Sequence, residues 1–148
     1  MLPARQAGDA VWRFADALIY NWLIAGTDAH AKNYSLLLAA GAVRLAPLYD
    51  IASALPYGTH ERKLRMAMKI GSRYDVYSSH DTWPGSARDL GLDAEAVAER
   101  VRTIARITPD AFADAVKDPA VGSVGSGLPG RLLDLVADRA ERCLALVG

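Results

Sequence analysis

One cysteine, Cys143, is all the thiol chemistry that the 148 residues hold. No internal disulfide can form, and a reducing compartment fits that usage. Long apolar runs are also missing. The longest, ALIYNWLIAG (17–26), is too short to cross a bilayer and is broken by Asn21. The opening MLPARQAGDA has no apolar core of the kind a signal peptide needs. Net charge is absent too: 17 basic residues balance 17 acidic ones, so nothing global draws the chain to nucleic acid or to an anionic membrane. Histidine is scarce. His30, His60 and His80 lie 30 and 20 residues apart, which matches no zinc-ligand spacing. These absences point to a cytoplasmic protein with no membrane partner and no direct nucleic-acid partner of its own.

What is present is the material of a core. About half the residues, 51%, are hydrophobic, and the length suits one ordinary domain, 1–148. Val11, Phe14, Ala15, Leu18, Trp22 and Leu23 recur at helical spacing. Asp9 is placed to cap that helix and Gly26 to stop it after about Ala25. A polar loop, 27–33, follows. Tyr34–Ala39 and Ala42–Ala46 then read as two short strands about a turn at Ala40-Gly41. Leu64, Met66, Met68 and Ile70 alternate with Arg65, Ala67 and Lys69, the pattern of a half-buried extended segment. The remainder reads as helices: one near Ser79–Leu90, one over Ala94–Ile107 capped by Asp93, a short one opened by Thr108-Pro109, and a last one opened by Pro129. Along that last helix Leu132, Leu135, Val136, Arg139, Cys143 and Leu146 share a side. Trp12, Trp22, Trp83 and Cys143 fall on apolar faces and read as core. GSVGSG (122–127) reads as a helix–helix linker; it follows the polar loop and precedes a helix, where a phosphate-cradling loop of a kinase does not belong.

The loop carries the chemistry. Asp28 and Asn33 stand five positions apart, D-x-x-x-x-N, and Asp50 comes seventeen residues after Asn33. That is the spacing of a kinase catalytic loop, where the Asp accepts a hydroxyl proton and the Asn holds magnesium. A helix before the loop and a hairpin after it match that context, with the second metal-binding Asp at the hairpin's end. Magnesium needs only a few hard oxygen ligands when a nucleotide and water supply the others. Taken one at a time, Asp28 reads sooner as a turn or capping residue, and Asp50 as the cap of a short helix at 51–55.

Three stretches, NWLIAGTDAHAKNYSLLL (21–38), RLAPLYDIASALPY (44–57) and KLRMAMKIG (63–71), resemble the C-terminal lobe of HipA-type toxin kinases. These are bacterial serine/threonine kinases of toxin–antitoxin modules, distantly related in fold to eukaryotic protein kinases. Tyr49-Asp50-Ile51 stands where most kinases have D-F-G, a departure the toxin family shares. The resemblance implies a mainly α, kinase C-lobe-like domain with a short β-hairpin after the catalytic loop. It implies ATP and Mg²⁺ as cofactors, with Asp28 as catalytic base. His30, Ala31, Lys32, Asn33, Tyr49 and Asp50 would line the nucleotide site, with Asn33 and Asp50 on the metal. The implied partners are a protein substrate (an aminoacyl-tRNA synthetase, by family analogy alone) and a helix-turn-helix antitoxin. Only 27 residues precede Asp28. A Gly-rich loop, a phosphate-pairing lysine and an adenine hinge are therefore expected outside this sequence. The isolated chain is expected to be inactive and to carry apolar surface where an N-lobe sits. The alternative reading is a non-catalytic module that docks an antitoxin or a separate N-lobe.

Overall fold

A computed structural model describes residues 4–39, 42–58, 61–77 and 82–147. Helix α1 (Ala4–Leu23) leads into the polar loop. An antiparallel hairpin, β1 (Leu36–Ala39) and β2 (Ala42–Leu45), follows with Leu36 opposite Leu45. A second antiparallel pair, β3 (Arg65–Ile70) and β4 (Arg73–Asp75), comes next. The rest is helical: α2 (Thr82–Leu90), α3 (Ala94–Val116), the single turn α4 (Pro119–Gly122) and α5 (Leu128–Val147). The fold is mainly α, as expected, with one hairpin more than the sequence suggested. The expected turn at Ala40-Gly41 and the histidines His60 and His80 lie outside the described residues.

The four longer helices owe their places to apolar stripes. Ile19, Trp22 and Leu23 of α1, Val97, Val101 and Ala105 of α3, and Val136, Ala140 and Cys143 of α5 meet in one core. Trp83 and Ala87 of α2 close it, and Trp83 meets Trp22 edge to face with ring centroids 5.4 Å apart. Trp12 packs at the margin of that core. In β3 the alternation holds: Met66 and Ile70 are buried while Arg65, Ala67 and Lys69 face out.

Three local expectations are corrected. Helix α1 begins at Ala4, so Asp9 lies inside it and caps nothing. The left-handed residue after α1 is Ala25 (φ 52°), not Gly26. Helix α3 runs through Pro109 to Val116, so Thr108-Pro109 opens no new helix. Proline removes one backbone bond, but Thr108 is buried on the same face as Ala105 and its hydroxyl donates to the Ile104 carbonyl at 2.7 Å. Packing on both sides of Pro109 outweighs the local break. By contrast Asp93 caps α3 as read, accepting from the Ala96 N–H, and Cys143 is buried.

The buried charge in this core is Arg139, 2% exposed. Its guanidinium lies over the Trp22 ring at 5.6 Å. Its Nε and Nη2 donate to the Trp22 carbonyl at 3.3 and 2.8 Å, and Nη2 also reaches the Val76 carbonyl at 3.0 Å. Arginine keeps its charge in proteins and offers five donors in a fixed fork. Here it meets the negative end of the α1 dipole. Arg139→Leu would take these donors from both buried carbonyls, leaving that of Trp22 with the Ala25 N–H at 3.2 Å, at a cost of roughly 2–4 kcal/mol. Urea unfolding should show that loss as a lower midpoint; a midpoint unchanged from the wild type would remove Arg139 from this account.

Candidate active site

The end of α1 is buried, and its carbonyls find fixed partners. The Asn21 carbonyl accepts from Gly26 N–H at 2.7 Å, and the Ile24 carbonyl accepts from the Ser53 hydroxyl at 2.6 Å. The Ala25 carbonyl accepts from Thr27 and Ala54 N–H at 2.9 and 3.1 Å. The Ser53 hydroxyl in turn accepts from the Leu55 N–H. These bonds bring the segment after the first hairpin beside the loop that starts at Thr27.

Within that loop, successive turns place Asn33. His30 N–H donates to the Asp28 carbonyl at 2.8 Å, and Asn33 N–H donates to the His30 carbonyl at 2.9 Å. The side chain of Asn33 is buried, and its Nδ2 donates to the Asp28 carbonyl and to Asp50 Oδ2, each at 3.3 Å. One amide thus ties together all three positions of the spaced D…N…D pattern: the main chain of Asp28, the side chain of Asn33 and the carboxylate of Asp50. The Asp28 side chain is exposed, as is Asp50. Asp50 sits at φ 54°, a left-handed conformation that Asp tolerates better than most residues. It caps no helix. The next helical turn is Leu55–Tyr57, and its cap position, Ala54, makes no side-chain bond.

The other residues named from the sequence divide. Tyr49 donates its phenol to the Lys32 carbonyl at 2.6 Å and lies 3.1 Å from the Ser35 hydroxyl, so it stitches the Asp50 segment to the loop. Ala31 and Lys32 face solvent. His30 is half-buried, with its Nδ1 buried and without a hydrogen-bond partner. Two residues that the sequence reading passed over support the site. Asn21 Nδ2 donates to the Ala17 carbonyl at 3.0 Å and to the Tyr34 hydroxyl at 3.2 Å. Burial raises the Tyr34 phenol above its ordinary pKa and so favours its neutral form; the Asn21 bond opposes that rise. Tyr34 also meets Phe14 edge to face at 5.0 Å. The only signal for Asn21 was a polar residue inside an apolar run.

The crevice beneath Asn33, Tyr34, Leu48, Tyr49 and Asp50 is about 10 Å³, room for a single water. A ligand at this site must therefore lie over the exposed carboxylates, not in a closed pocket. Asp50 offers a carboxylate, and Asn33, which here turns its amide nitrogen to that carboxylate, would offer its amide oxygen once turned; that set fits magnesium with most of its shell supplied by phosphate and water. Among the described residues no three His, Cys, Asp or Glu side chains gather into a metal cage, and none is needed for a site of that kind.

Comparison with known proteins agrees with the fold and shows the family. Residues 2–112 match the family model described as the HipA-like C-terminal domain. The chain is 33% identical over 141 residues to the candidate kinase Y4mE of Sinorhizobium fredii, covering 95% of this chain and 33% of that protein. It is 31% identical over 99 residues to the serine/threonine-protein kinase toxin HipA of Shewanella oneidensis, covering 66% of this chain and 22% of that protein. Its fold matches a chain in the structure of the Shewanella oneidensis MR-1 toxin–antitoxin complex of HipA, HipB and operator DNA. There the TM-score is 0.76 at 22% identity, over 97% of this chain and 35% of that one. The chain thus spans a third or less of the curated relatives it matches.

Gly26 is the tightest point of the site's frame. A Cβ there would stand 2.5 Å from Asn21 Oδ1 and 3.3 Å from Asn21 Cβ. Gly26→Ala must displace the Asn21 side chain from its two bonds, costing roughly 1–3 kcal/mol. In an Asn21→Ala background the same change should cost much less. A double-mutant cycle by urea unfolding checks this, and strict additivity would show that the clash is not the reason for glycine.

Proposed function

The chain belongs to the HipA-like C-terminal domain family, and from that premise we propose that it is the catalytic lobe of a serine/threonine kinase. The reaction is ATP- and Mg²⁺-dependent phosphoryl transfer to a protein hydroxyl. The observation that carries this reading is the Asn33 amide, which joins the Asp28 main chain to the Asp50 carboxylate. Phosphoryl transfer demands little covalent chemistry of the protein; it demands position and charge compensation.

Each residue then has a role its placement supports. The exposed Asp28 carboxylate accepts the proton of the attacking hydroxyl. Asn33 and Asp50 hold the metal, which when bound would neutralise charge on the transferred phosphoryl group. His30, Ala31 and Lys32 border the phosphates, and Tyr49 keeps Asp50 in register through its bond to Lys32. By analogy with the family, the protein acted on is an aminoacyl-tRNA synthetase and the regulatory partner a helix-turn-helix antitoxin. The related Shewanella complex holds HipB and operator DNA.

A second reading, a docking module without catalysis of its own, has one observation in its favour. Leu36, Leu37 and Leu38 of β1 are 60%, 52% and 77% exposed, an apolar strand open on both faces. In the kinase reading the same strand packs against a further part of the enzyme that completes the nucleotide site.

The test is a titration of MgATP into isotope-labelled chain. Amide shifts should concentrate at 28–33 and 49–51. The affinity should be roughly millimolar, because a shallow site with no enclosing pocket buries little ligand. Asp50→Ala should remove the shifts. Shifts centred elsewhere, or unaltered in that variant, would contradict the assignment.

A further inference from the structure

A two-stranded hairpin has two open edges, and the outer edge of β2 opens onto a cleft. The Ala46 N–H donates to the Ser35 carbonyl at 2.8 Å. Bonded and non-bonded pairs alternate along an antiparallel ladder, so Leu37 and Arg44 exchange bonds while Leu36–Leu45 and Leu38–Val43 do not. The N–H and C=O groups of Val43 and Leu45 therefore point away from β1. Among the described residues nothing bonds to them. Leu45 is 7% exposed, so water reaches its main chain poorly, and a buried polar group without a partner is costly.

The cleft supplies the side-chain half of a strand site. It lies between α1, α3 and β2, has a volume of about 420 Å³, and is lined by Tyr20, Leu45, Leu48, Ile104 and Ile107 among others. Arg13 and Arg44 are exposed and line the adjoining pocket beside Asp9. The other acid there, Asp16, is taken by Arg100 through two bonds of 2.6 Å. Two guanidiniums against one carboxylate leave a positive surplus. Because β2 alternates, Arg44 stands on the opposite sheet face from Val43 and Leu45. Leu48 also lines the crevice beneath Asp50, so an occupant of the cleft bears on the metal site.

We propose that an extended segment of the kinase, from outside these 148 residues, adds to the edge of β2 as a third strand. Its side chains alternate: apolar toward α1 and α3, acidic toward Arg44 and Arg13. The kinase reading supplies the source of the segment; the binding chemistry stands without it. The curated relatives have length for such a segment, since this chain spans a third or less of them. A docked helix satisfies its own main chain and would leave Val43 and Leu45 unpaired. A second copy pairing edge to edge through the same two residues would set Arg44 opposite Arg44, like charge against like.

The experiment needs no ATP. Overlapping peptides covering the part of Y4mE outside its match are titrated into isotope-labelled chain, beside peptides covering the HipB of Shewanella. A Y4mE peptide with alternating apolar and acidic residues should bind. At saturation, amide exchange should slow about tenfold at Val43 and Leu45, and stay unchanged at Arg44, which β1 already holds. N-methylation of the peptide at the positions that face β2 leaves the protein untouched and should abolish binding. Arg44→Glu should weaken binding about fivefold, with unchanged circular dichroism, because one exposed charge pair becomes a repulsion. No Y4mE peptide bound, a HipB peptide bound more tightly, a peptide bound as a helix, or binding indifferent to N-methylation would each overturn the proposal. So would exchange at Val43 and Leu45 that slows with chain concentration alone, the mark of a second copy. Peptide binding retained in Asp50→Ala, with the MgATP shifts lost, keeps the docking and metal assignments separate.

Discussion

A helix that ends inside a protein has carbonyls with no helical partner and no water to take them. The C-terminus of α1 is in that position: residues 21–25 are all nearly inaccessible. Beyond the local turns, its carbonyls are met from different parts of the chain. Trp22 is met by Arg139 from α5, Ile24 by Ser53, and Ala25 by Ala54 and Thr27. The need to satisfy one buried helix end thus fixes where the last helix, the segment after the first hairpin and the polar loop must lie.

The site follows from that constraint. Because the 48–55 segment is tied to the end of α1, Asp50 arrives next to Asn33 without a long ordered loop, and Tyr49 locks it to Lys32 and Ser35. Groups that must act on one phosphoryl gain most when the scaffold has already paid their ordering entropy. Asp28 and Asp50 remain exposed while Asn33 between them is buried, an arrangement suited to holding a solvent-facing ligand over a rigid base. The same anchoring extends to the second hairpin through Ala67 and Thr27, so that hairpin and the proposed base share one frame.

Much of this was legible beforehand, for reasons that differ by element. The stripes of α1, α3 and α5 and the alternation of β3 are periodic, and periodicity survives without tertiary information. The D…N…D spacing was readable because the loop is short and held at both ends. Other features were not. Pro109 looked like a helix start because the packing that carries α3 through it is non-local. Gly26 looked like the residue that stops α1, although Ala25 takes the left-handed conformation there and Gly26 is small for the sake of Asn21. The β3–β4 pair went unseen because β4 is three residues long and carries two charges. The supporting roles of Asn21, Ser53 and Arg139 depend on partners 13 to 117 residues away, which no local pattern encodes.

The central claim is that Asn33 and Asp50 form a metal site beside Asp28. Its most direct test is a crystal structure of the chain grown with Mn²⁺ and a non-hydrolysable ATP analogue, with anomalous data collected at the manganese edge. The account predicts a manganese peak in contact with both the Asn33 amide oxygen and the Asp50 carboxylate, with the analogue's terminal phosphates on its open side facing Asp28. Manganese bound elsewhere, with the Asn33 amide nitrogen still bonded to Asp50, would contradict it.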